Sequence, residues 1–290
     1  MKLGLARVAV LAMVFIAAPT LAQDYNEAAD EILAEYFSDE GPGASVVVLQ
    51  NGEVLVETAI GYADVDAEIA IDSDSVFDLA SVSKHFTGVA ILALVKDGRL
   101  DVRQPVSKYL PDFVDSDEGR AVRVSDLLYH ISGLPDYTSD DWDGSDSAFA
   151  RLSTESHLSW MNETEANEAP GESYVYNNSE YVLLALIVER VSRQRFADFV
   201  RTRLFGPAGM RTARVMDRLD QRFPRQVKGY ESDDDDNFSP SSSPSSVTGD
   251  GNVFASMTDM IAWMRALDGA RVLDAAQKRA AWGNGRLDSG

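Results

Sequence analysis

The first hundred residues carry apolar patterns that predict a helix, a hairpin and a second helix. Apolar positions recur at helical spacing between Tyr25 and Phe37, and Gly41-Pro42-Gly43 ends that segment. Two valine-rich runs, 45–50 and 53–57, then flank Asn51-Gly52, a dipeptide that tight primed turns favour because both central residues need positive φ. The pattern therefore predicts a helix that packs on a β-hairpin.

The second helix is predicted at residues 81–96, where few positions are polar. It should be buried on nearly every side, and a short strand at Val76–Leu79 leads into it. Further helical patterns occupy Val124–Tyr129, Ala148–Glu163, Glu180–Val191, Phe196–Leu204, Thr258–Leu267 and Asp274–Trp282. The predicted fold class is α+β, with strands early and an all-helical middle.

One long polar stretch interrupts these elements at Glu231–Ser246, which reads ESDDDDNFSPSSSPSS. Aspartate and serine bury too little apolar surface to offset the entropy of ordering the chain, and proline breaks regular structure. We therefore predict a mobile loop in this stretch.

The N-terminus has the pattern of an export signal. Lys2 and Arg7 precede an apolar run, Val8–Ala18, and small residues follow in Thr20-Leu21-Ala22. The run is too short to span a bilayer comfortably, so no stable membrane insertion is expected after cleavage. We predict a signal peptide over residues 1–22, a single domain over residues 23–290, and a periplasmic or secreted protein.

Composition narrows the function before any motif is considered. The 290 residues include 26 Lys and Arg against 47 Asp and Glu, a net charge of -21. Such a surface repels phosphate backbones and anionic lipids, so nucleic-acid binding is not expected. The absence of Cys excludes disulfides, a thiol nucleophile and a Cys-ligated zinc. A small-molecule partner is the expectation that remains.

A hydroxyl and an amine lie three residues apart in Ser81-Val82-Ser83-Lys84, at the start of the predicted buried helix. Positions i and i+3 share a helix face, so Ser81 and Lys84 can touch. A serine becomes a nucleophile when a base takes its proton, and an amine serves only when neutral, a state that burial and a helix N-terminus favour. Alone the pair is weak evidence, because Ser-x-x-Lys arises by chance about once in such a chain, and a helix cap beside a snorkelling lysine would explain it.

A second polar group, Tyr176 and Asn178, follows Pro170-Gly171 and directly precedes an apolar helix. A phenol beside a lysine can relay a proton between nucleophile and leaving group, and an amide can hold a substrate carbonyl. The alternative is that Tyr176 is a buried aromatic residue with a satisfied hydroxyl. Together with Ser81 and Lys84, the pair suggests a polar site on a rigid support.

Three segments of the chain resemble motifs of a known protein family. They are DLASVSKHFTG around Ser81, SDLLYHISGLPDY around His130, and PGESYVYNNSEYVLLALIVERV around Tyr176. In sequence and in order they resemble the serine beta-lactamase and penicillin-binding protein superfamily, particularly its class C-like branch of beta-lactamases, carboxypeptidases and esterases. The resemblance implies a beta-lactamase/transpeptidase-like fold, with an antiparallel sheet flanked by helices and an all-helical subdomain. It also implies a serine hydrolase that acts on beta-lactam, D-Ala peptide or small ester substrates, some of them derived from peptidoglycan, without a metal or cofactor.

The resemblance gives each site residue a role. Ser81 would be the acylated nucleophile, Lys84 its base or proton relay, Tyr176 the partner base in deacylation, and Asn178 the ligand of the substrate amide. His130 would organise its loop. A Ser-His-Asp hydrolase is not indicated, because the chain has no Gly-x-Ser-x-Gly elbow.

The third motif of the superfamily, a strand with Lys or His followed by a small residue and Gly, is not found. Lys228-Gly229-Tyr230 is a poor match, since it precedes the GDGNVFASMTDMIAWM segment that comes before this motif in relatives. We expect that the natural protein continues past Gly290 with the missing C-terminal strands, and that residues 23–290 alone are nearly inactive and prone to associate. The alternative function is a non-catalytic module that binds peptidoglycan or penicillin-like ligands.

Overall fold

The computed structural model describes residues 20–115, 119–138, 153–233, 237–241, 246–283 and 287. Residues 1–19, most of the predicted signal peptide, lie outside the described residues, as do residues 148–152 of one predicted helix. The helices are α1 (Thr20–Tyr36), α2 (Ser83–Lys96), α3 (Val124–Tyr129), α4 (Thr154–Glu163), α5 (Asn178–Ser192), α6 (Phe196–Val200), α7 (Gly206–Ala208), α8 (Met257–Asp268) and α9 (Ala275–Ala281). The strands are β1 (Ala44–Gln50), β2 (Glu53–Ile60), β3 (Tyr62–Asp64), β4 (Ile69–Ala70), β5 (Val76–Asp78), β6 (Arg214–Val215), β7 (Gly229–Ser232), β8 (Phe238–Ser241) and β9 (Val253–Ser256).

The N-terminal helix and hairpin form as the pattern predicts. β1 and β2 pair antiparallel around Asn51 and Gly52, whose φ values of 52° and 80° are both positive, as a primed turn requires. α1 packs on β2, and its Leu33 is buried. Ile32, on the same predicted apolar stripe, stays 59% exposed. The helix therefore contacts the hairpin through a narrower face than its sequence suggested.

Helices α2 and α5 form the centre of the core. Phe86, Ala90, Ile91 and Leu94 of α2 have no exposed surface, and neither do residues 182–188 of α5. The two helices pack directly against each other. This confirms the prediction of a helix buried on most sides. The packing also brings together the two helix N-termini, which Ser81 and Tyr176 directly precede.

The described part of the segment from Val102 to Met210 is organised by helices, as predicted, and the fold as a whole is α+β. No helix in the described ranges is long and apolar enough to cross a membrane.

A three-stranded sheet was missed by the sequence analysis. β9 lies between β5 and β6 and is antiparallel to both, and its four residues are all buried. A short apolar run that continues directly into a helix cannot be told from the start of that helix by periodicity. The sheet matters for the site because it brings residues 247–252, which precede β9, against the first turn of α2.

The prediction of a mobile loop at Glu231–Ser246 is wrong for its described part. β7 and β8 pair as an antiparallel hairpin, from Gly229 opposite Ser241 to Ser232 opposite Phe238. The reason is tertiary contact that composition does not reveal. The hydroxyl of Tyr230 accepts a hydrogen bond from the backbone N–H of Val65 at 2.8 Å, and the ring of Phe238 packs over Gly41. Residues 234–236 and 242–245 lie outside the described residues.

Candidate active site

Ser81 lies in a one-turn 3₁₀ helix, Ala80–Val82, that runs straight into α2. The turn is set by Asp78, whose carboxylate accepts the backbone N–H of Ala80 at 2.9 Å, and by Ala80 itself, whose φ of 44° is unusual for a residue with a side chain. Ser81 is exposed, whereas Lys84, one turn further on, is only 6% exposed. The predicted spacing thus places an accessible hydroxyl above a buried amine.

Lys84 Nζ has three hydrogen-bond acceptors. They are Ser81 Oγ at 3.1 Å, the side-chain Oδ1 of Asn178 at 2.7 Å and the backbone oxygen of Asp250 at 2.9 Å. An ammonium would use all three of its hydrogens in these contacts. A neutral amine has two hydrogens, which it would donate to Asn178 Oδ1 and the Asp250 oxygen, because these two atoms can only accept. Its lone pair would therefore face Ser81 Oγ, the one partner that can give up a proton.

The segment before β9 holds the acceptor from Asp250 in place. The side chain of Thr87 donates to the backbone oxygen of Gly249 at 2.7 Å, and the backbone N–H of Val253 donates to Ser83 Oγ at 3.0 Å. Gly249 has a φ of 112°, and a Cβ there would lie 2.3 Å from the backbone oxygen of Tyr181. Only glycine fits this close approach to α5.

The carboxyl group of Asp250 is buried and accepts a hydrogen bond from the Tyr137 hydroxyl at 2.5 Å. Burial raises the pKa of Asp250, although the hydrogen bond from Tyr137 opposes the rise. Burial and the neighbouring Asp250 also raise the pKa of Tyr137. Neither residue was singled out in the sequence. The Gly-Asp-Gly-Asn turn of residues 249–252 was the available signal, because such a turn can bring a backbone oxygen close to a helix.

Asn178 is held on both sides. Its side-chain nitrogen donates to Asp136 Oδ2 at 3.1 Å and to Thr138 Oγ1 at 2.7 Å, while its side-chain oxygen accepts from Lys84. Its backbone N–H also donates to Asp136, at 3.1 Å. The structure therefore brings Asn178 to Lys84 as expected, and its amide hydrogens are engaged by the loop of Asp136 and Thr138.

Tyr176 forms the outer wall of the site. Its side chain is 45% exposed, and Lys84 Nζ lies over its ring, 5.0 Å from the centroid. This excludes the alternative that Tyr176 is a buried aromatic residue. The contact seen is with the face of the ring, so proton exchange between the phenol and Lys84 requires a substrate, a water molecule or a rotation of the side chain between them.

His130 lies behind Tyr176, with ring centroids 4.7 Å apart. Its φ of 57° ends α3, its backbone oxygen accepts from the N–H of Val175 at 3.0 Å, and its Nδ1 accepts from the N–H of Asn177 at 3.2 Å. The ring Nδ1 also contacts buried Glu180 at 2.5 Å. The placement agrees with a role in organising the loop.

Lys228, the poor match to the third motif, is engaged elsewhere. Its ammonium bonds Asp64 Oδ1 at 2.8 Å and lies 3.8 Å from Asp66 Oδ2, next to the β3–β4 turn.

A largely apolar groove of about 490 Å³ extends from Lys84 along α2 to Trp282. The described residues contain no cluster of three His, Asp or Glu suited to a metal ion.

Comparisons with known proteins identify the family and the fold of the chain. A sequence profile described as Beta-lactamase matches residues 26–288. Penicillin-binding protein 4* of Bacillus subtilis is 31% identical over 259 residues, which make up 85% of this chain and 56% of that protein. The chain therefore spans about half the length of this curated relative.

Solved structures share the fold. The D-amino acid amidase of Ochrobactrum anthropi, solved with D-phenylalanine, superposes with a TM-score of 0.73 at 24% identity, over 90% of this chain and 74% of that one. EstCE1, a hydrolase with promiscuous acyltransferase activity, superposes with a TM-score of 0.72 at 18% identity, over 89% and 75%. These two show the beta-lactamase/transpeptidase-like fold. Since the profile covers residues 26–288, the resemblance found in the sequence is confirmed, and the chain belongs to the beta-lactamase family.

Proposed function

We propose that this protein is an exported serine hydrolase that forms an acyl-enzyme on Ser81 with a beta-lactam, a D-Ala peptide or a small ester. The observation that carries the proposal is the set of contacts around Lys84: one partner, Ser81 Oγ, can lose a proton, and the other two, Asn178 Oδ1 and the Asp250 oxygen, only accept. A neutral Lys84 is thereby oriented as the base for Ser81.

In acylation, neutral Lys84 takes the proton of Ser81 Oγ as that oxygen bonds to the substrate carbonyl carbon. The tetrahedral intermediate then expels the leaving nitrogen or oxygen, which receives a proton from Lys84, directly or through the Tyr176 hydroxyl. In deacylation, Tyr176 passes its hydroxyl proton toward neutral Lys84 while it takes a proton from water, and the water oxygen attacks the ester carbonyl. Lys84 then returns a proton to Ser81 Oγ as that oxygen leaves. Each cycle consumes one water molecule and returns Ser81 and Lys84 to their starting states.

The substrate range rests on the relatives and on the exposure of the site. The similar proteins carry the names penicillin-binding protein, D-amino acid amidase and hydrolase, and each name fits a carbonyl substrate. Ser81 and Tyr176 are both open to solvent, which allows a substrate as large as a peptidoglycan fragment. The signal-like pattern of residues 1–22 supports export to the periplasm or beyond. Asn178 binds a substrate amide if Asp136 or Thr138 releases one of its amide hydrogens.

Covalent labelling tests the proposal. In the full-length natural protein, Ser81→Ala should abolish labelling by a fluorescent penicillin and by a fluorophosphonate. Ser239→Ala is the matched control, because Ser239 is exposed in β8 and, within the described residues, has no contact with the site residues, and it should keep the label. Labelling that survives Ser81→Ala would remove Ser81 as the nucleophile.

A non-catalytic module that binds penicillin-like or peptidoglycan ligands is the second candidate. It is favoured by one observation, that the amide hydrogens of Asn178 are already engaged by Asp136 and Thr138. Turnover of a chromogenic cephalosporin or ester separates the two candidates. Saturable binding without any turnover by the full-length protein would support the module and contradict the hydrolase.

A further inference from the structure

His130 holds the backbone on both sides of Tyr176 by hydrogen bonds. His130 accepts the N–H of Val175 through its backbone oxygen and the N–H of Asn177 through Nδ1. Tyr176 itself is half exposed, so these two bonds, with the ring of His130 against its own, fix the backbone from which its phenol extends. The hydrogen-bonding state of His130 Nδ1 therefore affects one of the two bonds that hold the backbone around Tyr176.

The contacts around His130 Nδ1 restrict where the proton lies. The nitrogen receives the N–H of Asn177 at 3.2 Å and contacts Glu180 Oε2 at 2.5 Å. If Nδ1 carried a hydrogen and donated it to a Glu180 carboxylate, it would have no lone pair left to accept the N–H of Asn177. If Nδ1 carries no hydrogen, its one lone pair is shared between two donors, a hydroxyl of Glu180 at 2.5 Å and the N–H of Asn177 at the longer 3.2 Å.

The other oxygen of Glu180 fits the second arrangement. Oε1 accepts both the N–H of Ser132, at 3.2 Å, and the Ser132 hydroxyl, as a carbonyl oxygen with two lone pairs can. Oε2 is then left as the hydroxyl that donates to His130. Every contact of the buried carboxyl group is satisfied by a neutral acid.

We propose that Glu180 is an un-ionised carboxylic acid that donates its proton to His130 Nδ1 and so acts as a positioning residue for Tyr176. The inference rests on the proposed function only for the role of Tyr176. The protonation of the Glu180 carboxyl group does not depend on that function. Glu180 is 1% exposed, and burial raises its pKa, opposed by its bonds to His130 and Ser132. The other titratable side chains that crowd this face are Tyr129, Tyr174, Tyr176 and Tyr181, with Lys84 beyond Tyr176 and Tyr181.

The first arm of the test is a pair of substitutions in the full-length protein. In Glu180→Gln, the amide can still donate to Nδ1 and accept from Ser132, so kcat for ester or cephalosporin turnover should stay within about 3-fold of the parent. In Glu180→Ala, Nδ1 loses its donor, and kcat should fall by about 10-fold or more with little change in KM, because small displacements of a catalytic group are costly. If Glu180→Gln fails as badly as Glu180→Ala while melting at the parent temperature, a carboxylate is required and the proposal is overturned.

The second arm of the test detects the proton on Glu180 by infrared spectroscopy and does not require an active enzyme. Infrared difference spectra of the parent minus Glu180→Gln near pH 7 should show the C=O stretch of an un-ionised carboxylic acid. Glu163→Gln, which removes an exposed carboxylate at the end of α4, should not remove that band. Absence of an acid band in the Glu180 difference would overturn the assignment even if the enzyme is active. Its presence in an inactive protein would leave Glu180 assigned and count only against the proposed function.

Discussion

The two proposed proton carriers of this site, Lys84 and Tyr176, are held in opposite ways. Lys84 is 6% exposed, and three acceptors bind its side-chain nitrogen directly. Tyr176 is 45% exposed, and the described bonds that place it run to the backbone of its two neighbours. Lys84 is fixed at its reacting nitrogen, whereas Tyr176 is fixed only through its backbone.

This difference matches the tasks proposed for them. A base that works on a single oxygen, Ser81 Oγ, gains from a fixed nitrogen, since a misplacement of about 1 Å can cost about 10²-fold in rate. A phenol that serves a leaving group in one step and a water molecule in the next needs to turn between them. Substitutions at Lys84 should therefore act on acylation, and those at Tyr176 chiefly on the second half of the cycle.

The largest effect is expected at Lys84. Lys84→Ala should lower the acylation rate by about 10³-fold, within the range for a lost general base. Lys84→Arg keeps a cation and several donors but cannot become neutral, so it should be nearly as inactive. Stopped-flow acylation with a chromogenic cephalosporin measures both. An Arg variant close to the parent rate would mean that Lys84 supplies charge rather than a base.

Next in size is the loss of the Tyr176 hydroxyl. Tyr176→Phe should lower steady-state turnover by about 10²-fold, since it removes one acid–base group. The ring is kept, so the melting temperature should hardly change. Tyr174→Phe is the matched control, two residues away and 63% exposed, and it should turn over substrate at the parent rate. Equal losses in both variants would show that the loop as a whole, and not one phenol, is needed.

A smaller effect is expected behind Lys84, at Gly249. An alanine there must hold a positive φ and place its Cβ 2.3 Å from the backbone oxygen of Tyr181, so the turn that supplies the Asp250 acceptor has to move. We expect a loss of about 2 kcal/mol in unfolding free energy and a fall in acylation rate of about 10-fold. The neighbouring Gly251→Ala meets nothing within 4 Å and should leave both quantities unchanged. Chemical unfolding and stopped-flow kinetics on the two variants decide this.

The smallest effect concerns the core on the same side of the site. His157 has no exposed surface, no hydrogen-bond partner for either ring nitrogen within the described residues, and an edge-on contact with Tyr137. Burial lowers its pKa to about 4, whereas an unfolded histidine titrates near 6.5. Between these two pH values His157 is protonated in the unfolded chain but not in the folded one. Its contribution to the unfolding free energy is therefore fully present above about pH 6.5 and is lost as the pH falls toward about 4.

His157→Phe should remove that loss and make the protein less sensitive to acid. At pH 5.5 the gain relative to the parent, referenced to pH 7.5, should be about 1 kcal/mol in unfolding free energy. His85, whose pKa burial also lowers to about 4, remains and keeps part of the acid sensitivity. Urea unfolding of both proteins at the two pH values measures the difference. Parallel pH dependences would show that His157 is not held neutral.

The sequence was most informative where local signals decide the structure. The Asn51-Gly52 turn, the apolar helix after Ser81 and the spacing of Ser81 and Lys84 follow from residues close in the chain. β9 and the Asp250 oxygen were missed because each depends on partners more than 160 residues away in the chain, such as Lys84 and Thr87. The β7–β8 hairpin was misjudged for the same reason, since Tyr230 and Phe238 are ordered by Val65 and Gly41. The proton on Glu180 depends on His130, 50 residues earlier, and no pattern in the chain reveals it.

Rapid-quench mass spectrometry of the acyl-enzyme is the most direct test of how the two proton carriers share the reaction. The full-length parent, Lys84→Ala and Tyr176→Phe are each mixed with the same cephalosporin or ester, quenched at successive times and digested to locate the adduct. We predict that Tyr176→Phe forms the adduct on Ser81 in a fast first phase and then retains it, whereas Lys84→Ala forms almost none. An adduct that accumulates in Lys84→Ala, or that is cleared from Tyr176→Phe at the parent rate, would contradict the assignment of acylation to Lys84 and deacylation to Tyr176.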